Sequence, residues 1–135
     1  MNTLTGKIFD IQSTEMISLI GIDVEGDIFS SIILEGKQGP MNYKANDRVN
    51  ILFKETEVGL AKNLSGQISL RNRFGAKIQK IERSFILSKI TLDYKGQLIR
   101  SIISTKSADE MRLKENDPVE WLVKSNEVSL SLSTK

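Results

Sequence analysis

Residues 77–104 read KIQKIERSFILSKITLDYKGQLIRSIIS, and residues 7–34 read KIFDIQSTEMISLIGIDVEGDIFSSIIL. The two stretches align at an offset of seventy without a gap. The match continues beyond them, since Asn46-Asp47 and Val49 return as Asn116-Asp117 and Val119, and Glu57-Val58 and Leu60 return as Glu127-Val128 and Leu130. About twenty of some fifty-five aligned pairs are identical, which identifies a tandem duplication. The duplication allows an internal comparison. Residues common to both copies serve the fold, and polar residues found in one copy are candidates for chemistry.

The second copy predicts short strands with turns between them. Ala76–Ile81 is a first strand and Phe85–Asp93 a second, with Ile86, Ser88, Ile90 and Leu92 on one side. Tyr94-Lys95-Gly96-Gln97 makes the turn, because Gly96 can take the positive φ of a tight hairpin. Leu98–Ser104 follows as a third strand. Ser107 to Leu113 reads as one or two helical turns, with Ser107 as N-cap and Asp109 and Glu110 in the first turn. Asn116-Asp117-Pro118 breaks the chain, Val119–Val123 is a fourth strand, and Glu127–Ser133 alternates apolar residues with serines as a half-buried fifth. This order predicts an all-β fold of two tandem OB-like five-stranded β-barrels, each with a short helix. The first copy offers Gly6–Ile11, Met16–Val24, Ile28–Ile33, Arg48–Phe53 and a short stretch near Val58. There Leu34 to Pro40 reads as a loop. Trp121 aligns with Ile51 and is expected in the core, and Asp23 and Asp93 read as turn formers. The boundary falls in the linker Lys62–Gln67, giving units of residues 1–64 and 65–135. Each unit is small enough to need its twin or another subunit for burial.

Composition narrows the chemistry. The chain has 135 residues and neither cysteine nor histidine, which removes disulfides, thiolate metal sites, cysteine nucleophiles and the commonest general base. No enzyme activity is expected. Met1 to Asp10 has no signal-peptide core, and no apolar run reaches membrane-spanning length, so a free-standing cytoplasmic protein starting at Met1 is expected. Net charge is +2, but residues 1–64 carry six Lys/Arg against nine Asp/Glu and residues 65–135 carry thirteen against eight. That asymmetry fits either surface drift or a second copy facing an anion.

Three polar clusters of the second copy lack full counterparts in the first. They are Ser69-Leu70-Arg71-Asn72, Ser104-Thr105-Lys106-Ser107 and Lys124-Ser125. At the offset of seventy, Arg71 falls on Met1, Ser104 on Leu34, Ser107 on Lys37 and Ser125 on Glu55, while Lys124 persists as Lys54. The groups missing from the first copy are hydroxyl or cationic donors. Such a set suits a small tetrahedral oxyanion, which offers acceptors alone. The helix start at Ser107 would add backbone N–H groups. A protonated phosphate would leave a polar group unpaired in an all-donor site.

These motifs resemble those of molybdate-binding Mop domains. Ser69 to Asn72 resembles the Ser-Ala-Arg-Asn opening of that family, Ser101 to Met111 its third strand and helix, and Val123 to Val128 its closing Ile-Lys-Ala-Ser-Ser-Val signature. Leu70 departs from the usual alanine. The resemblance covers the second copy, with the first as a degenerate version, and makes the chain similar to di-Mop (tandem Mop/TOBE) proteins. It implies molybdate or tungstate as ligand, with no organic cofactor and no metal site. The ligand would lie at subunit interfaces of a homo-oligomer, a trimer first and a dimer second. The implied oxyanion-binding residues are Ser69, Arg71, Asn72, Ser104, Ser107, Lys124 and Ser125. Ser69, Arg71, Lys124 and Ser125 would come from one surface, with Ser104 and Ser107 facing them. Lys54 and Thr56 would form a weaker site in the first copy.

Plainer readings stand beside these. Arg71 can be a surface arginine, Ser104 a backbone partner, Ser107 a cap and Lys124 a solvated strand-end lysine. Storage or homeostasis of molybdenum is the leading function. The alternatives are the sensing module of a transcription factor or transporter ATPase, and an OB-type single-stranded nucleic-acid binder. The last needs exposed stacking aromatics, and aromatics are 6% of the chain. No helix-turn-helix and no phosphate-binding loop is present.

Overall fold

The computed structural model describes residues 1–34 and 43–133. Most of the loop expected over Leu34 to Pro40 lies outside these residues. In chain order the elements are β1 (Asn2–Ser13), β2 (Ile17–Val24), β3 (Asp27–Leu34), β4 (Arg48–Phe53), β5 (Gly59–Ala61), β6 (Asn72–Arg83), β7 (Leu87–Tyr94), β8 (Gln97–Ser104), α1 (Thr105–Glu110), β9 (Pro118–Val123) and β10 (Ser129–Leu132). Single 3-10 turns at Glu55–Glu57 and Ser125–Glu127 precede β5 and β10.

The strands form two five-stranded curled sheets, so the fold is all-β and built from two OB-like units. Each follows from the period-2 burial pattern of its strands, such as the alternation along β2. β1 and β6 are long because each pairs with one neighbour over its first half (β4 or β9) and with another over its second half (β2 or β7), and each carries a bulge where the register shifts, between Ile8 and Asp10 and between Ile78 and Lys80. A bulge sharpens local twist and lets a long strand bend around a small barrel. The hairpin turns form as expected. Gly26 and Gly96 have φ of 96° and 84°, and the preceding Asp23 and Asp93 accept their N–H groups at 2.8 and 2.9 Å.

The sheets divide the chain differently from the repeats. The first is ordered β10-β4-β1-β2-β3 and the second β5-β9-β6-β7-β8. Each repeat therefore gives its last strand to the other's sheet. Leu130 lies opposite Ile51, and Leu60 lies opposite Trp121. The core is correspondingly one body. Fully buried Trp121 packs against Phe29 and Phe53 of the first repeat and Phe74 and Tyr94 of the second, at centroid distances between 5.2 and 5.5 Å. Aromatic contacts of this kind add stabilisation beyond the area they bury. Trp121 is thus a core residue as its alignment with Ile51 implied, although its Nε1 has no hydrogen-bond partner among the described residues.

Two local expectations need correction. The second strand of the second repeat begins at Leu87, and Phe85 and Ile86 stand in the turn, 96% and 71% exposed. A run of apolar residues extended the strand pattern backwards in the sequence, but Ser84 N–H already bonds the Leu87 carbonyl at 2.9 Å and closes the hairpin there. The helix starts earlier than expected. Its N-cap is Ser104, whose hydroxyl accepts the Ser107 N–H at 3.0 Å, so Ser107 is the third helical residue and no acid stands in the first turn. Serines three apart offered two cap positions, and the extended backbone of Ser104 at the end of β8 takes the cap geometry first.

Candidate functional site

The residues of the first and third clusters converge. Ser69, Leu70 and Arg71 approach β6 from the linker, and Lys124 and Ser125 begin the 3-10 turn after β9. β6 and β9 are paired, with Asn72 opposite Val123, so the two donor-bearing segments leave the same end of the sheet side by side. They form one wall of a groove of about 360 Å³. Leu19, Ser30 and Ile32, on β2 and β3, form the other.

The electrostatics of this groove follow from what is missing. No Asp or Glu among the described residues lines it, whereas three other surface grooves each contain at least one glutamate. The side chains of Ser69, Arg71, Lys124 and Ser125 have no hydrogen-bond or ion-pair partner among the described residues. Arg73, two positions from Arg71, behaves differently. Its Nε donates to Glu120 at 2.8 Å, and that hydrogen bond raises its pKa. Two uncommitted cations and two uncommitted hydroxyls thus face a shared space in which an anion meets no competing carboxylate of the described residues.

The remaining candidates lie elsewhere. Asn72 is fully buried and does not line the groove; its amide holds the backbone of Ser30, Oδ1 accepting from N–H at 2.7 Å and Nδ2 donating to the carbonyl at 2.8 Å. Ser104 and Ser107 sit at the start of α1, with hydroxyls 2.9 Å apart, and do not line the groove of their own chain. In the first repeat, Lys54 borders a smaller groove of about 200 Å³ together with Glu57 and Glu127. Glu55, at the position of Ser125, pairs with the Met1 amine at 3.6 Å. Thr56 is exposed and does not line that groove. Sequence reasoning missed the apolar wall of Leu19 and Ile32. Its signal was present, because the outward positions of β2 and β3 are leucine and isoleucine where alternation calls for polar residues.

The model of the TOBE domain matches residues 68–130. The second repeat thus resembles a TOBE domain over nearly its whole length. The match spans the opening cluster, α1 and the closing 3-10 turn. A TOBE domain is a binding module, not an enzyme. The first repeat, which copies the TOBE unit at the offset of seventy, extends the likeness over the whole chain at the level of fold. The cytoplasmic molybdate-binding protein ModG, solved with molybdate bound, aligns over 98% of this chain and 96% of its own, with a TM-score of 0.91 at 19% identity. MopII from Clostridium pasteurianum aligns over 44% of this chain and 90% of its own, at 32% identity and a TM-score of 0.42. The comparison with curated proteins gives no match. No helix among the described residues is long and apolar enough to cross a membrane, and no cluster of acids among them is placed to hold a metal ion.

Proposed function

We propose that this chain binds molybdate or tungstate in the groove between the wall of Ser69–Arg71 and Lys124–Ser125 and the facing wall of β2 and β3, and serves molybdenum storage or homeostasis in the cytoplasm. The groove, with four uncommitted donors and no carboxylate among the described residues that line it, carries the reading. A doubly charged tetrahedral anion offers only acceptors, and Arg71, Lys124 and the two serines offer donors at charge-assisted strength. The TOBE match and the fold shared with ModG, which is described as binding molybdate, support the same ligand.

The site is composite in this proposal. Ser104 and Ser107 reach the groove from a second copy in a homo-oligomer, with a trimer preferred over a dimer. The apolar surface fits that arrangement. Leu19 and Ile32 are exposed beside the groove, and Phe85, Ile86 and Leu87 are exposed beside Ser104, which lies opposite Leu87. Exposed apolar residues beside both donor sets suit contact between copies. Isothermal titration with molybdate, tungstate and sulfate, alongside light scattering for mass, tests the proposal. Heat with the first two anions and little with sulfate is expected. Silence with molybdate, or equal affinity for sulfate, would sink it.

A further inference from the structure

Both donor-bearing segments of the groove belong to the second repeat, yet both are tied to consecutive residues of the first. Asn72 follows Arg71 directly, and its buried amide grips the Ser30 backbone at 2.7 and 2.8 Å. Ser31, also fully buried, donates its hydroxyl to the carbonyl of Val128 at 3.2 Å, just past the Ser125–Glu127 turn. Ser30 itself lines the groove. Strand β3 is therefore a gauge, holding the Arg71 segment through one residue and the Lys124–Ser125 turn through the next.

We propose that Asn72 is a positioning residue of the anion site and not a ligand. It fixes Arg71 relative to Lys124 and Ser125 by way of the first repeat. This rests on the oxyanion reading above. Its physical basis is that a buried amide with both polar atoms engaged cannot turn to a ligand without stranding Ser30 N–H and C=O.

The duplication supplies the control. Asn2 grips the Arg100 backbone at 2.8 and 2.9 Å, and Ser101 donates to the Val58 carbonyl at 2.7 Å. The clamp is the same, but Met1 stands in place of Arg71 and Glu55 in place of Ser125. A clamp that serves stability alone makes Asn2→Ala and Asn72→Ala equivalent. A positioning role makes them differ.

The test compares the full-length wild type, Asn72→Ala, Asn72→Asp and Asn2→Ala by thermal unfolding and by isothermal titration with molybdate. Both alanine variants should lose similar thermal stability. Asn72→Ala should weaken molybdate binding by about 10–100-fold, the usual effect of removing a group that orients a ligand-binding residue. Asn2→Ala should stay within about two-fold of wild type, as a distant independent change does. Asn72→Asp keeps the acceptor for Ser30 N–H but sets a buried carboxylate against the Ser30 carbonyl and adds negative charge near the site, so it should weaken binding at least as much as Asn72→Ala. Equal affinity losses in the two alanine variants, or wild-type affinity in Asn72→Ala, overturn the proposal. If Asn72→Ala does not fold, Ser31→Ala against Ser101→Ala makes the same comparison at the other anchor. If the wild type itself gives no heat, the oxyanion reading falls, and amide NMR without ligand decides the clamp. Displaced Ser125 and Val128 resonances in Asn72→Ala but not in Asn2→Ala support it, and undisplaced ones overturn it.

Discussion

Arg71 is the residue on which the anion proposal leans hardest, because a guanidinium presents a planar fork of donors that matches an oxyanion and this one is without a partner among the described residues. Removing one hydrogen bond to a charged group costs about 1.5–3 kcal/mol. Arg71→Ala should therefore weaken molybdate binding by roughly ten-fold to more than a hundred-fold, with unfolding temperature nearly unchanged because the side chain is exposed. Lys54→Ala, beside the glutamates of the first repeat, should change affinity little. Titration of both variants checks this, and a larger loss from Lys54→Ala would move the site to the other repeat. Which residues to test was legible in the sequence, since comparing the copies isolates Ser69, Arg71 and Ser125. The geometry of Asn72 was not. An asparagine beside an arginine can donate to an anion or hold a strand, and only its position opposite Ser30 separates the two.

Elements were legible where alternation is strict and illegible where two residues of one type compete. β2 and β7 follow from Ile20, Ile22 and Val24 and from Ile90, Leu92 and Tyr94 at alternate positions, and the hairpins follow from Asp23 and Asp93 with Gly26 and Gly96. The helix start was misplaced because Ser104 and Ser107 are both capable caps. Their roles can now be separated. Ser104→Ala removes the acceptor of Ser107 N–H and should cost about 1 kcal/mol of stability, whereas Ser107→Ala keeps the cap and should leave the unfolding temperature nearly unchanged. If both hydroxyls face a ligand held by a second copy, both variants lose affinity. Thermal unfolding and titration together distinguish cap from ligand.

The end of α1 is tied to the linker in a pH-dependent way. Lys62 Nζ donates to the carbonyls of Met111 and Arg112 at 3.3 and 3.4 Å and to Asp117 at 3.0 Å. The Lys62 hydrogen bond holds the Asp117 carboxyl below its usual value of 3.8, and the Lys114 N–H adds to the effect. A carboxylate with a depressed folded-state pKa stabilises the fold at pH above its unfolded value, and that contribution is lost as pH falls through the depressed value. Lys62→Met should accordingly raise the Asp117 pKa towards the ordinary carboxylate range and make acid unfolding begin at higher pH. Carboxyl NMR titration and acid unfolding followed by Trp121 fluorescence measure the two effects. An unmoved Asp117 pKa would remove Lys62 as its cause.

At the scale of the molecule, the exchange of β5 and β10 had no distinguishing signal in the sequence, because the repeats are too alike. Each closing strand carries a leucine at the same register, Leu60 or Leu130, and either could face either barrel without exposing apolar surface. The choice shows instead in the pairing, with Leu130 against Ile51 and Leu60 against Trp121. It is sealed by the Tyr43 hydroxyl, which donates to the Leu130 carbonyl at 3.1 Å. The first repeat, although it lacks the donors, still shapes the groove. It supplies β3 as one wall of the groove, holds both donor segments through Ser30 and Ser31, and completes the second sheet with β5. A crossed pattern of local stability follows. Leu130 is 6% exposed, and Leu130→Ala should cost about 2–5 kcal/mol, as a large-to-small change in a core does. Its loss of amide protection should concentrate in β4, eighty positions away in sequence, rather than in neighbouring β9. Leu60→Ala should give the mirror image, loosening β9 and sparing β4. Native-state hydrogen exchange reads both variants residue by residue. Protection lost in β9 from Leu130→Ala, with β4 intact, would mean that each repeat closes its own barrel.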